Sequence, residues 1–410
     1  MTDFFVSFFN PFLQNILIFG AKKDIMKTEN TSLGGLNVRL LIKGARVWKS
    51  EHTFESDCSV LIEDGMILSV GGEADADEVI DARGLMLLPG LVDAHTHGRA
   101  GFDFSTATRE QMKLMKADYA RHGVTSLFPT LASATVADWL RAISDIEACG
   151  FDGIHLEGRY LNASKRGAHA PELLAPLDAS ELDRVLESIQ IPCHLSAAFE
   201  LDADGSFAAC AARHGATMGL CHTAATAREA RLAMERGVTS FTHLFNAMPP
   251  LHHREGGAVS VGLTTDAWVE LIADGMHICP DMIALAWHCK SPDRVVLITD
   301  SMEATGCPDG DYAIAGQHVT VKNGRAETDD GALAGSTLNL WQGVKNLMEF
   351  ANVPLVDAIA CATINPARML GIDQTVGNIA TGRRADLLLV DDSLSIRTVI
   401  ACGQKISFGG

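Results

Sequence analysis

Pro89-Gly90-Leu91-Val92-Asp93-Ala94-His95-Thr96-His97-Gly98 is the stretch that decides the fold. Its apolar run reads as a buried strand, and Gly98 frees the chain to turn away after it. His95 and His97 stand two apart, so on a strand both imidazoles point to one face and can grip one cation. Alone, such a pair is a weak signal, because two packed histidines read the same way.

The residues downstream change that reading. Glu157 closes Gly153-Ile154-His155-Leu156, His222 follows Met218-Gly219-Leu220-Cys221, His243 follows Phe241-Thr242, and Asp300 follows Val295 to Thr299. Further strands are expected to end near Pro129, Ser196 and Ala273-Asp274. Helix-like stretches come between them, for instance Arg109 to His122 and Asp357 to Leu370. Eight alternating units predict a parallel (β/α)8 TIM-type barrel over residues 89–375. Its polar residues fall at the C-terminal strand ends, the face that carries active sites in this fold. One strand-end histidine is usually a satisfied core residue. Six His, Glu and Asp residues in one barrel (His95, His97, Glu157, His222, His243 and Asp300) read as a metal site.

Both chain ends have a different style. Arg39 to Trp48 is strand-like, and Ser59 to Val70 reads as a hairpin with Asp64-Gly65 as its turn. Ala385 to Val390 and Ser395 to Ile400 return to the same pattern. Residues 38–88 and 376–410 are therefore expected to join in space as one small β-sandwich module, each half being too short to fold alone. Residues 1–37 are read as an N-terminal extension, with Met26 an alternative start. Its apolar run from Phe4 to Gly20 precedes Lys22-Lys23, the reverse of a secretory signal, and polar residues and Pro11 interrupt it, which argues against a membrane span.

The 410 residues suit one barrel of about 250 residues plus a smaller module. The net charge of −18 argues against nucleic acid as a partner. It leaves room for a small anionic substrate, since a few local cations hold one phosphate whatever the global charge. Ten scattered cysteines without a C-x-x-C pair fit a reducing cytoplasm better than a disulfide framework.

With these motifs in view, the chain resembles the N-acetylglucosamine-6-phosphate deacetylase family of the amidohydrolase superfamily, from about Val38 to the C-terminus. The resemblance rests on the opening stretch and on His155-Leu156-Glu157-Gly158, Leu161-Asn162, Lys165-Arg166-Gly167-Ala168-His169, Thr242-His243-Leu244-Phe245-Asn246-Ala247-Met248-Pro249-Pro250-Leu251-His252-His253-Arg254-Glu255, Ala273-Asp274-Gly275-Met276-His277, Thr299-Asp300 and Leu333-Ala334-Gly335-Ser336. Only the opening stretch is shared widely across amidohydrolases.

The resemblance implies the following roles. Glu157, His222 and His243 would hold the metal nearest the chemistry. His95 and His97, which some members lack, would add a second metal with Glu157 bridging. Asp300 would join the metal site and act as general base and acid, and His277 would stabilise the developing oxyanion. Asn246 and the Ala247 main chain would bind a phosphate, with Arg254 reaching over from the neighbouring subunit of a homodimer. Ala168, His169 and His277 would contact the sugar and its amide. Ala334 would close over the acyl methyl or simply form a packing turn. One or two divalent ions per subunit are expected, zinc first, with iron, manganese or cobalt also suited to mixed N/O ligands. The implied reaction releases acetate from a phosphorylated N-acetylamino sugar. Hydrolysis of another N-acyl sugar or amide stays open, and so does a non-catalytic barrel.

The chain also departs from the family pattern. Gly158-Arg159-Tyr160 stands where the family has Gly-Pro-Phe, so Arg159 is expected near the rim as a tuner of substrate choice. Cys221 replaces a Gly before the strand-five histidine. Arg254-Glu255-Gly256-Gly257 replaces Arg-Glu-Pro-Gly.

Overall fold

The computed structural model describes residues 38–50 and 52–407. The expectations for the N-terminal extension lie outside the described residues.

Eight strands, Leu91–Thr96, Val124–Leu131, Ile154–Glu157, Cys193–Ala197, Thr217–Leu220, Ser240–Phe241, Trp268–Ile272 and Val295–Ile298, form a sheet in unbroken chain order. All neighbours run parallel. The first and last strands meet just beyond their ends, where the Asp300 amide donates to the His95 carbonyl at 2.9 Å and the His97 amide to Ser301 at 2.8 Å. This all but closes the barrel. An α-helix follows every strand, and the helices cover the outer face that a parallel sheet must bury.

Local sequence sets the helix starts. Arg109–Arg121 opens on a capping box of Thr108 and Gln111, and Ala227–Glu235 on one of Thr226 and Glu229. The helix expected over 357–370 is instead two, Leu355–Cys361 and Ile364–Met369. Pro366 is the reason: in a continuous helix its ring would clash with the carbonyl of Ala362 and its missing N–H would leave that carbonyl unbonded.

The two chain ends do meet. Met86–Pro89 pairs antiparallel with Leu387–Val390, setting Pro89 opposite Leu387 and Met86 opposite Val390. All eight strands of the module belong to one hydrogen-bonded, mainly antiparallel sheet. Its core holds Ile42, Val47, Val60, Ile62, Leu87, Leu389 and Ile400. The expected hairpin is present, and Asp64 and Gly65 adopt φ of 50° and 76° in its turn. Arg384 ties the module to the barrel. Its guanidinium meets Asp386 at 2.6 Å, Ser126 at 2.7 Å, and Asp152.

One element was not foreseen. After the eighth strand, Gly310–Ile314, Gln317–Lys322 and Arg325–Thr328 form an antiparallel meander. It has its own apolar cluster of Met302, Ile314, Val319, Val321, Ala326 and Ala334. Its signals were present: alternating residues around Ala315-Gly316 and Asn323-Gly324, whose positive φ values match tight hairpin turns. Among the described residues, no helix is long and apolar enough to cross a membrane. None of the ten cysteines is paired.

Candidate active site

At the C-terminal mouth of the barrel lies a cavity of about 300 Å³. His97, Glu157, His222, His243 and Asp300 line it, with Ala168, His169, Asn246, Ala247 and His277. The strand ends bring these together from six of the eight strands. His222, His243 and Asp300 follow their strands with φ of 41°, 33° and 48°, a left-handed backbone that non-glycine residues rarely adopt. Such strain persists only where the surrounding structure enforces it, and here it turns three side chains inward just past the sheet.

Glu157 is the hub. Its Oε1 lies 2.9 Å from His243 Nε2 and 3.5 Å from His222 Nε2. Its Oε2 lies 3.1 Å from His97 Nε2 and 3.3 Å from His95 Nε2. Asp300 Oδ1 stands 3.3 Å from His97 and 3.4 Å from His95. The donor atoms therefore form two clusters that share Glu157. Cys221 joins one of them, with Sγ 3.3 Å from Glu157 Oε1 and 3.6 Å from His243 Nε2.

This donor set fits divalent ions. His95 and His97 present Nε2 atoms 3.3 Å apart, so both cannot carry protons aimed at each other. His222 donates from Nδ1 to the Lys165 carbonyl at 2.7 Å, which leaves its Nε2 lone pair facing Glu157. Burial pushes His97 down, yet hydrogen bonds and charges from Asp300 and Glu157 outweigh it and bring the ring to about 9. The carboxylate charge that raises this ring would also attract a metal cation in the proton's place.

A second polar layer lies deeper in the barrel. Glu270, wholly buried on the seventh strand, sits 3.7 Å from His95 Nδ1 and 3.5 Å from His194 Nε2. Burial pushes Glu270 up, but His194 and His95 hold it below the usual carboxylate range. His155 packs edge-on to His95 and bonds Ser196 at 2.7 Å. The sequence reading passed over Glu270 and His194. A charged residue inside Trp268-Val269-Glu270-Leu271-Ile272, at an interior-facing position, was the available signal.

Around the metal-type cluster, His277 is held by Asp274, whose Oδ2 lies 2.7 Å from Nδ1. Burial pushes Asp274 up, while the His277 bond and charge hold it below its ordinary value. His169 bonds Ser133 Oγ at 2.9 Å, and burial with the nearby His222 lowers it to about 3, which keeps the ring neutral. Lys165, Ile314, Ala332, Leu333 and Gly335 also line the cavity, the last four supplied at or beside the unforeseen meander.

Two expected residues, Ala334 and Arg159, sit elsewhere. Ala334 is buried in the meander's core, and its neighbours Leu333 and Gly335 face the cavity instead. Arg254 is exposed beside His253, 2.9 Å from its Nε2, and does not line this chain's own cavity. Arg159 is not at the rim as expected. Its guanidinium pairs with Glu181 at 2.9 Å and the Ala134 carbonyl at 2.7 Å, and its backbone has φ of 38°.

Comparison with known proteins agrees with this geometry. Residues 86–406 match the amidohydrolase family. An N-acetylgalactosamine-6-phosphate deacetylase of Escherichia coli is 35% identical over 377 residues, covering 89% of this chain and 98% of the relative. An N-acetylglucosamine-6-phosphate deacetylase of Vibrio furnissii is 33% identical, covering 86% of this chain and 92% of the relative. A variant of N-acetyl-D-glucosamine-6-phosphate deacetylase from Mycobacterium smegmatis, solved with N-acetyl-D-glucosamine-6-phosphate, superposes with a TM-score of 0.83 at 32% identity. That match covers 91% of this chain and 100% of the other. The family match over most of the chain, the identity of the relatives and the shared fold agree, and the chain belongs to the N-acetylglucosamine-6-phosphate deacetylase family of amidohydrolases.

Proposed function

We propose that the chain hydrolyses the N-acetyl amide of an amino sugar 6-phosphate, N-acetylglucosamine 6-phosphate first, releasing acetate and the free amine. One observation carries the proposal: Glu157 turns one oxygen to each of two histidine pairs, with Asp300 beside them in the same cavity.

Glu157, His222 and His243 are assigned to one divalent ion, and His95, His97 and Asp300 with Glu157 to a second. A bound ion, zinc by first choice, supplies polarisation of the amide carbonyl and lowers the pKa of water from about 15.7 to about 7. Asp300 takes a proton from the attacking water as the oxygen–carbon bond forms, and returns it to the amide nitrogen as the carbon–nitrogen bond breaks. His277, balanced by Asp274, donates toward the carbonyl oxygen as charge develops there. Asn246 and the Ala247 amide receive the phosphate, with Lys165 as a cation in the same cavity and Arg254 supplied by the partner in a homodimer. His169 and Ala168 face the sugar. The Leu333–Gly335 segment covers the acyl group.

The galactosamine epimer is a second reading, supported by the E. coli relative's name. The unpaired cysteines support a cytoplasmic setting. The test is to strip the protein with chelator, reload it with zinc, iron, manganese or cobalt, and count bound metal alongside acetate release. Activity that disappears and returns with the ion supports the assignment. A metal-loaded protein that liberates no acetate from either epimer refutes it.

A further inference from the structure

Cys221 is the one member of the cluster that the proposed reaction does not use. It follows the fifth strand directly and is wholly buried. Its Sγ, Glu157 Oε1, His222 Nε2 and His243 Nε2 form a group of donors all within 4.8 Å of one another. Metal–sulfur bonds near 2.3 Å and metal–nitrogen or –oxygen bonds of about 2.0–2.1 Å imply tetrahedral donor edges of about 3.4–3.6 Å. The Cys221 edges are 3.3 Å to Glu157 and 3.6 Å to His243, and the His222–Glu157 edge is 3.5 Å. The His243–Glu157 edge, at 2.9 Å, is the shortest of these four. The thiol points at two ligating atoms, donating to Glu157 Oε1 and facing His243 Nε2, rather than into apolar packing.

We propose that Cys221 is a fourth protein ligand to the ion held by Glu157, His222 and His243. This rests on the metal assignment made above. The thiol proton leaves to solvent as the ion enters. Two consequences follow. A thiolate is a soft donor, so this position favours zinc over manganese and iron more strongly than an all-N/O set does. Four protein donors also mark closed zinc sites, whereas catalytic ones keep a position open. A position open to substrate would then belong to the second ion, at the cluster of His95, His97 and Asp300, whose His97 and Asp300 line the cavity.

Zinc K-edge X-ray absorption on the zinc-loaded full chain tests this without reference to turnover. The expected result is a sulfur shell near 2.3 Å that disappears in Cys221→Ser and Cys221→Gly while zinc remains bound. Cobalt-loaded protein should show a thiolate charge-transfer band in the near ultraviolet that both variants lose. In competition, the ratio of zinc to manganese bound should fall about tenfold or more in the variants. Bound zinc with nitrogen and oxygen shells alone overturns the role of Cys221 and leaves the metal assignment intact. A wild-type chain that retains no ion at all overturns both.

Discussion

His222 Nδ1 lies 2.7 Å from the main-chain oxygen of Lys165. This bond couples the loop after the third strand to a ligand after the fifth, fixing both the tautomer and the plane of the ring. Gly167 sits beside the contact with φ of 56°, and a Cβ there would come within 2.8 Å of His222 Cε1. Gly167→Ala should therefore displace the imidazole. The expected loss in metal affinity is about 10–100-fold, read by titration against a chelating dye. Unchanged affinity would show that the ring does not depend on this loop.

Asp300 carries the proton transfer, so Asp300→Asn should lower kcat by about 10²–10⁴-fold. Glu157, His222 and His243 are untouched by the change, so the variant should still bind an ion at that cluster. Elemental analysis and steady-state kinetics on one preparation separate the two effects. A fully active asparagine variant would remove Asp300 from the proton path.

Arg384 joins the two parts of the fold through Asp152, Asp386 and Ser126. Burial alone would lower it, but the two carboxylates raise it above its ordinary value. Arg384→Met leaves Asp152 and Asp386 without their shared cation, and breaking a buried pair in this way costs about 3–5 kcal/mol. Urea denaturation monitored by tryptophan fluorescence should show the loss. A variant as stable as wild type would mean that the module docks through its apolar contacts alone.

Much of this was readable in the chain. The strand ends at His95, Glu157, His222, His243 and Asp300 were legible because a barrel strand has a fixed period and its ligand-type residues interrupt apolar runs. The joining of the two chain ends was legible because neither half buries enough surface alone. Other features depend on chain paths that local pattern does not encode. Nothing near Arg159 in sequence shows that Glu181 comes back to meet it. Leu333 and Gly335 reach the cavity, and Ala334 turns away from it, only because a meander folds there. Glu270 was hidden for another reason: a carboxylate in an apolar strand makes sense only once His95 and His194 are known to flank it.

Lys290 offers a pH-dependent test of the fold away from the site. Its ammonium is buried and donates to the carbonyls of Gly262 at 3.0 Å and of Thr265 and Ala267 at 2.6 Å. Burial lowers it to about 8. The unfolded chain holds that proton up to about pH 10.4, the folded chain only to about 8, so this group adds stability as pH rises through that window. The gain is at most about 3 kcal/mol. Denaturation curves at pH 7.5 and 10 should converge toward this difference between wild type and Lys290→Met, whose stability lacks the rise. Parallel curves would place the ammonium in contact with water.

The most direct test of the central claim is the release of acetate, with equal release of free amine, from N-acetylglucosamine 6-phosphate by zinc-loaded protein, measured beside the unphosphorylated sugar. Stoichiometric acetate and amine from the phosphorylated sugar, with kcat/KM at least about a hundredfold lower without the phosphate (a charge-assisted pair being worth about 1.5–3 kcal/mol, and several acting together), is the predicted result. No acetate from the phosphorylated sugar, or equal rates with and without the phosphate, would contradict it.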